Sequence, residues 1–191
     1  MKVKKGQPGY ISSRKKRYLL LSLIEFAVVI GILLFGYAQT GTKMNLFTVV
    51  AIVGCLPACK MMVEFIVMVP FKGIAMSDYE EIQEKAPLLM KVYDLLVSGE
   101  DKLMQVDAAV ISGRTICGYT SNKKTDEALV SKYIKEMLHN NKCEKVTVKI
   151  FNDYNAFLSR AEGMNNIAAV SQEDTGRIER KIRRLLFSTS M

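Results

Sequence analysis

Two apolar runs, at residues 18–38 and about 44–69, lie back to back around a short polar turn at 39–45. At about 1.5 Å of rise per helical residue the first run reaches roughly 30 Å, the depth of a hydrocarbon core. Glu25 is its one charge. The second run is apolar or weakly polar as far as Cys59, then carries Lys60 and Glu64 before Pro70. Together they read as a membrane α-helical hairpin of two transmembrane helices, residues 18–71. A chain with two adjacent spans returns to the side on which it began, so whatever follows the hairpin lies on the same side as whatever precedes it. A cleavable signal peptide is the weaker reading of the first run. Its apolar length exceeds the roughly 7–15 residues of a signal core, and a second span follows at once.

Charge decides the side. The chain carries 27 Lys plus Arg against 19 Asp plus Glu, a formal net charge of +8. Lys2, Lys4, Lys5, Arg14, Lys15, Lys16 and Arg17 precede the first run, whereas the turn holds only Lys43. The positive-inside rule then places both termini in the cytoplasm, and an integral membrane protein results, in the plasma membrane if the cell is prokaryotic. Residues 1–17, with Gly6, Pro8 and Gly9, read as a basic flank that is mobile or lies against anionic headgroups of the lipid bilayer. Cys55, Cys59, Cys117 and Cys143 lack zinc-type spacing, and a cytoplasmic compartment keeps thiols reduced; no disulfide, metal or other cofactor is expected.

Counted from the turn, Glu25 and Lys60 differ in depth by about 3 residues, roughly 4.5 Å, while Lys60 and Glu64 are spaced i, i+4. Two readings stand. One is a Glu25, Lys60, Glu64 cluster between the two helices or between copies of the chain; in the other, Lys60 snorkels and Glu64 sits in the interface. Gly31 and Gly36, and the patch Gly54, Cys55, Ala58, Cys59, offer small residues for close helix approach, and Pro57 is expected to bend the second helix.

Beyond Pro70 and Gly73, residues 74–170 read as a small cytoplasmic α/β domain with a mixed sheet of three or four strands. Ser77 with Glu80 has capping-box spacing and predicts a helix to about residue 98, which Pro87 is able to split. A strand at 103–111, a turn at Ser112-Gly113-Arg114-Thr115 and a strand at 115–119 make an antiparallel pair. Residues 125–140 carry an apolar stripe from Leu129 to Leu138 and predict a helix. Val146, Val148 and Ile150 alternate with polar neighbours as a strand does, and Asn152-Asp153 precedes a short helix expected to end at Gly163. In residues 171–191, Ser171 and Asp174 open a last helix. Its stripe of Ile178, Ile182, Leu185 and Leu186 opposes Arg177, Arg180, Lys181, Arg183 and Arg184.

Two places have the chemistry to bind. The loop with Ser121, Asn122, Lys123 and Lys124 lies between a strand and a helix N-terminus, where backbone donors and cations can hold a phosphate or carboxylate; the same letters also spell a solvated loop. The basic C-terminal helix can meet anionic lipid, an acidic protein partner or nucleic-acid phosphates, in that order for a tethered domain, or simply pack on the domain through its stripe. The lone His139 reads as a surface residue, and neither a Walker loop nor a dinucleotide glycine pattern occurs. Catalysis would need carboxylates distant in sequence, such as Asp107 with Asp126 or Glu127.

A leading helix, Asp107 on a strand and the next strand of a hairpin resemble the restriction-endonuclease-like core, including membrane-tethered nuclease-related domains, over residues 78–151. The resemblance implies a Glu or Gln two residues before a Lys on that next strand. Here it reads Thr115-Ile116-Cys117-Gly118-Tyr119, which implies a nonenzymatic relative. The sequence therefore predicts an integral membrane protein whose α/β domain serves binding or assembly at the membrane face as an accessory subunit of a larger complex, with an enzyme acting on a membrane-proximal substrate as a rival reading. A protein partner or a homo-oligomer is expected. The alternatives are an oligomeric channel or membrane-disrupting effector using the intramembrane charges, and a degenerate nuclease-like or nucleic-acid-binding tethered domain.

Overall fold

A computed structural model describes residues 3–42, 45–99, 102–123, 125–143, 145–171 and 175–190. They divide into two compact units, residues 11–72 and the remainder. The first unit is formed by α1 (Tyr10–Thr40) and α2 (Leu46–Met68), both long and apolar enough to span a membrane. α1 starts before the apolar run and carries Arg14 to Arg17 in its first turns. Gly9 and Gly41, with φ of 79° and 65°, bracket it, left-handed positions at which a side chain is strained. Lys43 and Met44 fall outside the described residues. Asn45 caps α2: its side-chain oxygen accepts from Thr48 N at 2.9 Å, and its amide donates to Thr40 Oγ1 at 2.8 Å and Thr42 O at 3.0 Å. Pro57 lies inside α2, which remains one helix.

The two helices meet along their small residues. Ser22, Val29 and Gly36 are buried on α1 at seven-residue spacing, as are Ala51 and Ala58 on α2. Ser22 Oγ lies 3.7 Å from Met62 Sδ, a Cβ at Gly54 would sit 3.2 Å from Val29, and one at Gly36 would sit 2.5 Å from Phe47 Cβ. Phe35 and Phe47 stack edge to face at 5.6 Å beside the turn. A seven-residue repeat of seam residues is the geometry of left-handed antiparallel packing.

The second unit runs α3 (Met76–Lys85), β1 (Met90–Ser98), β2 (Leu103–Ser112), β3 (Thr115–Tyr119), α4 (Glu127–Asn140), β4 (Thr147–Phe151), α5 (Tyr154–Val170) and α6 (Gly176–Thr189). The sheet order is β1-β2-β3-β4, antiparallel except for β3 and β4, which are parallel and joined through α4. One face is covered by Val130, Ile134 and Leu138 of α4 and by Ile182 and Leu186 of α6. The other is covered by Ile82 of α3 and by Phe157, Leu158, Ala161 and Met164 of α5. Gly113, with φ of 56°, makes the β2–β3 turn as its sequence predicts.

Four expectations are corrected. The helix from Ser77 to residue 98 stops at Lys85, and residues 90–98 are a strand. Pro87 pushes Ala86 out of helical conformation, and a central run of apolar residues in a sheet buried on both faces imitates a helical stripe. Ser77 is not the cap; Ala75 holds that place without a side-chain bond, and Ser77 Oγ donates to Asp78 instead. α5 does not end at Gly163 but continues to Val170, since nothing crowds that glycine and its helix remains bonded. Asp174 lies outside the described residues, and α6 opens after Thr175, whose hydroxyl donates to Glu179 Oε1 at 2.8 Å.

The N-terminal flank is the fourth. Residues 3–9 pack on the α/β unit: Tyr93 N donates to Gly6 O at 3.1 Å, and Lys5 Nζ donates to Phe187 O at 2.6 Å and to Ser190 O. An ammonium at the last carbonyls of α6 satisfies groups that the helix cannot, and the helix dipole favours it. Gly6 (φ 85°) is required, because a Cβ there would lie 2.4 Å from the Phe187 ring.

Candidate functional site

The most strongly charged face of the α/β unit lies on α6. Ile182 and Leu186 are fully buried in the core, with Ile178 and Leu185 packed beside them, so the apolar stripe is spent on the domain itself. Arg177, Arg180, Lys181, Arg183 and Arg184 all remain exposed on the outer face. Among the described residues, ion pairs form at Lys85–Glu81 and Lys132–Glu136, and none of these five cations joins one. Glu179, on the same helix, accepts at Oε1 from Gly113 N at 2.7 Å and from Thr175, and joins no ion pair with them among the described residues. Arg180 Nε donates to Gly176 O at 2.9 Å, Lys181 Nζ reaches Lys142 O at 3.4 Å, and the Arg183 guanidinium lies 5.3 Å from the Phe187 ring centre.

Two further cations extend this face. Arg114, Lys142 and Lys181 line a cleft of about 100 Å³ floored by Cys143, Val146 and Ile178. Sequence reasoning missed Arg114 and Lys142 because one sits in a hairpin turn and the other 28 residues later in the loop after α4. The parallel β3–β4 pairing brings them together, with Thr147 N donating to Arg114 O at 2.9 Å.

The loop after β3 holds an internal anion. Ser121 N donates to the Asp107 carboxylate, Gln105 Nε2 donates to its other oxygen, and Asn122 N donates to Thr120 Oγ1 at 3.3 Å. Lys123 is exposed, and Lys124 lies outside the described residues. Burial pushes the Asp107 carboxyl above the usual carboxylate range, against the opposing hydrogen bonds from Ser121 and Gln105. Asp94 faces Asp107 across the β1–β2 ladder, between the pairs Tyr93↔Ala108 and Leu95↔Val106, and adopts φ of 54°. Its Oδ1 accepts from Ile74 N at 2.9 Å. These two buried carboxylates fasten the entry to the domain and the loop after β3 to one hairpin.

Asp126 and Glu127 do not converge with Asp107. Asp126 caps α4 through Ala128 N at 2.8 Å and Leu129 N at 3.3 Å, and Glu127 accepts from Asn152 N at 2.7 Å. Among the described residues no group of three or more His, Cys, Asp or Glu is placed to hold a metal ion. His139 is exposed in the last turn of α4. Cys117 is buried on β3, and burial pushes its thiol up to about 12, which leaves it protonated and unreactive at neutral pH.

Within the hairpin, Glu25 and Glu64 are half-buried and Lys60 is exposed; among the described residues no ion pair joins them. Glu25 Oε2 is shielded and makes no hydrogen bond among the described residues. The seam explains why the pair inside one chain is not made. With Ser22 against Met62 and Val29 against Gly54, Glu25 falls level with about Ala58, and Lys60 is turned away from α1.

Comparison with protein-family models, with curated proteins and with solved structures found no match.

Proposed function

We propose that this chain is an integral membrane protein, both termini in the cytoplasm, whose α/β unit is an accessory binding module that docks α6 against an acidic protein surface at the membrane face. The observation that carries the reading is the basic face of α6, whose five cations join no ion pair among the described residues. Five exposed cations are held by a helix whose apolar residues are already consumed by the core. Such a helix has no apolar face left to insert among acyl chains, so it recognises by charge alone, which favours a shaped acidic partner over adsorption to lipid. The domain is joined to the hairpin through Tyr10 on one side and Gly73 on the other, so a partner engaged by α6 is held at the membrane. The hairpin serves as the anchor.

The test is gentle detergent extraction of the intact chain followed by native mass measurement, with and without neutralisation of Arg177, Arg180, Lys181 and Arg184 to Gln. A stoichiometric complex that the neutral variant fails to hold, and that moderate salt dissociates, supports the reading. A homo-oligomer of the same mass in both proteins rejects it and moves the function to the hairpin. In that case ion leak from vesicles, abolished by Glu25→Gln, identifies the channel or effector alternative. Recovery of nucleic acid with steep salt dependence instead of protein supports the nucleic-acid-binding alternative.

A further inference from the structure

The docked N-terminal flank does more than cap α6. It forms one side of an open surface pocket of about 420 Å³, lined by Val3, Gly6, Gln7 and Pro8 and, opposite them, by Tyr79, Gln83, Lys91, Tyr93 and Arg183. Lys91 Nζ donates to Gln83 Oε1 at 2.6 Å, and Gln83 Nε2 donates to the Tyr93 hydroxyl at 3.3 Å, so an ammonium, an amide and a phenol are arranged as one polar wall. Tyr79 stacks on Tyr93 at 5.0 Å and braces that wall. Arg183, exposed, supplies a second cation from α6. No carboxylate is among the described residues lining the pocket. Burial lowers the Lys91 pKa, the direction expected for an ammonium lacking a nearby anion.

We infer that this pocket seats the phosphodiester headgroup of an anionic phospholipid, with Lys91 and Arg183 on the phosphate and the Gln83 and tyrosine groups on the headgroup's hydroxyls. Two cations with no carboxylate among them select a phosphate, and the hydrogen-bonding wall selects a polar headgroup over a bare ion. The membrane source follows from chain connectivity: Pro8, which lines the pocket, is two residues before α1 begins at Tyr10. At under about 3.6 Å per residue to Tyr10 and about 1.5 Å per helical residue from there to the start of the apolar run at Tyr18, the pocket wall lies within roughly 19 Å of that run. This inference rests on the membrane insertion proposed above. It uses Arg183, which the neutral variant of the previous test retains.

The test reconstitutes the full chain into phosphatidylcholine vesicles with and without phosphatidylglycerol and measures the acylation rate of the Lys91 amine. Resistance to alkaline extraction establishes insertion separately; if the chain washes off, the membrane reading fails. In inserted protein, phosphatidylglycerol is expected to protect Lys91 by about tenfold, and Arg183→Gln to remove most of that protection. Lys85, outside the pocket on exposed α3, serves as the control and should be unchanged. Equal Lys91 rates in both lipids, or protection that Arg183→Gln leaves intact, would overturn the inference. So would equal protection by soluble glycerol phosphate in plain phosphatidylcholine vesicles, which would make the ligand a soluble phosphate ester.

Discussion

The seam between the hairpin's helices and the core of the α/β unit are built from different residues. In the hairpin the groups removed from the surface include Ser22, Gly36, Ala51 and Ala58, while Leu20, Leu34, Ile52 and Leu56 face outward. In the α/β unit the interior holds Phe157, Ile134, Ile182 and Leu186, and the outside of α6 is cationic. This contrast is what the proposed membrane insertion requires, with the hairpin in hydrocarbon and the α/β unit in water. Water drives large apolar side chains together, because removing each Å² from it gains about 25 cal/mol. A hydrocarbon surround gives no such gain, so helices associate where small residues let their backbones approach and dispersion contacts multiply.

The strongest way to break this contrast is to cut into the α/β core. Phe157, fully buried between α5 and the sheet, should cost about 3–5 kcal/mol as Phe157→Ala, and Leu186→Ala about 2–5 kcal/mol. Cys117 is an internal reporter: in a background with Cys55, Cys59 and Cys143 replaced, its labelling by a maleimide requires the domain to open. Each substitution should accelerate that labelling by about thirtyfold or more. A change below about threefold would show that the two apolar layers do not hold this domain.

Second in size is the hairpin seam. Ala58 is fully buried against α1, and Ala58→Leu should cost about 1–3 kcal/mol by overpacking. In a water-driven core, added apolar volume brings some compensating burial, but between lipid-facing helices it only separates the backbones. The expected result is a loss of monodisperse protein after detergent extraction with Cys117 labelling unchanged, since the two units are compact separately. If Cys117 labelling rose in step, the units would be one cooperative body and the contrast would dissolve.

These two regions were also unequally legible. The hairpin's two helices and turn are written in the apolar runs, although α1 begins eight residues before its run, and β2, β3, α4 and β4 are written in their periods and turns, because each is a local pattern. The seven-residue repeat of Ser22, Val29 and Gly36 was readable too, but a search confined to small residues four apart passes over it. β1 was not readable as a strand. Val92, Tyr93, Leu96 and Val97 fit a helical stripe, and only the partner β2 makes them a strand buried on both faces. The pockets and the Asp94–Asp107 juxtaposition are likewise products of pairing. Arg114 meets Lys142 through β3 and β4, and Lys91 meets the flank through the bond from Tyr93 N to Gly6 O, none of which any local window contains.

A smaller effect sharpens the comparison from the polar side. Burial holds the Asp107 carboxyl of the folded chain above its ordinary value near 3.8. The folded state therefore binds that proton more tightly than the unfolded state. The stability so gained is complete below 3.8 and is lost as pH rises through the folded value. Asp107→Asn keeps an acceptor for Ser121 N but cannot titrate. The urea midpoint of the wild type minus that of the variant should fall across this acidic window and be flat above it. Parallel curves would mean that the hydrogen bonds from Ser121 and Gln105 balance burial, and a difference that rises with pH that they outweigh it.

The smallest expected effect is the one that tests the hairpin's outer face. Leu56 is 71% exposed on α2, two residues from the seam at Ala58. Leu56→Ala removes the same atoms as Leu186→Ala, but under the proposed insertion lipid replaces them with equivalent contacts, so its effect on extraction and stability should lie within about 0.5 kcal/mol. The ratio of the two Leu→Ala costs then measures how completely the solvent differs between the regions. A Leu56→Ala cost approaching that of Leu186→Ala would mean that something better packed than lipid covers α2. Since Lys60 points to the same outward side without an ion partner among the described residues, a second hairpin would be the natural cover. The accessory-subunit reading would then give way to the oligomeric one.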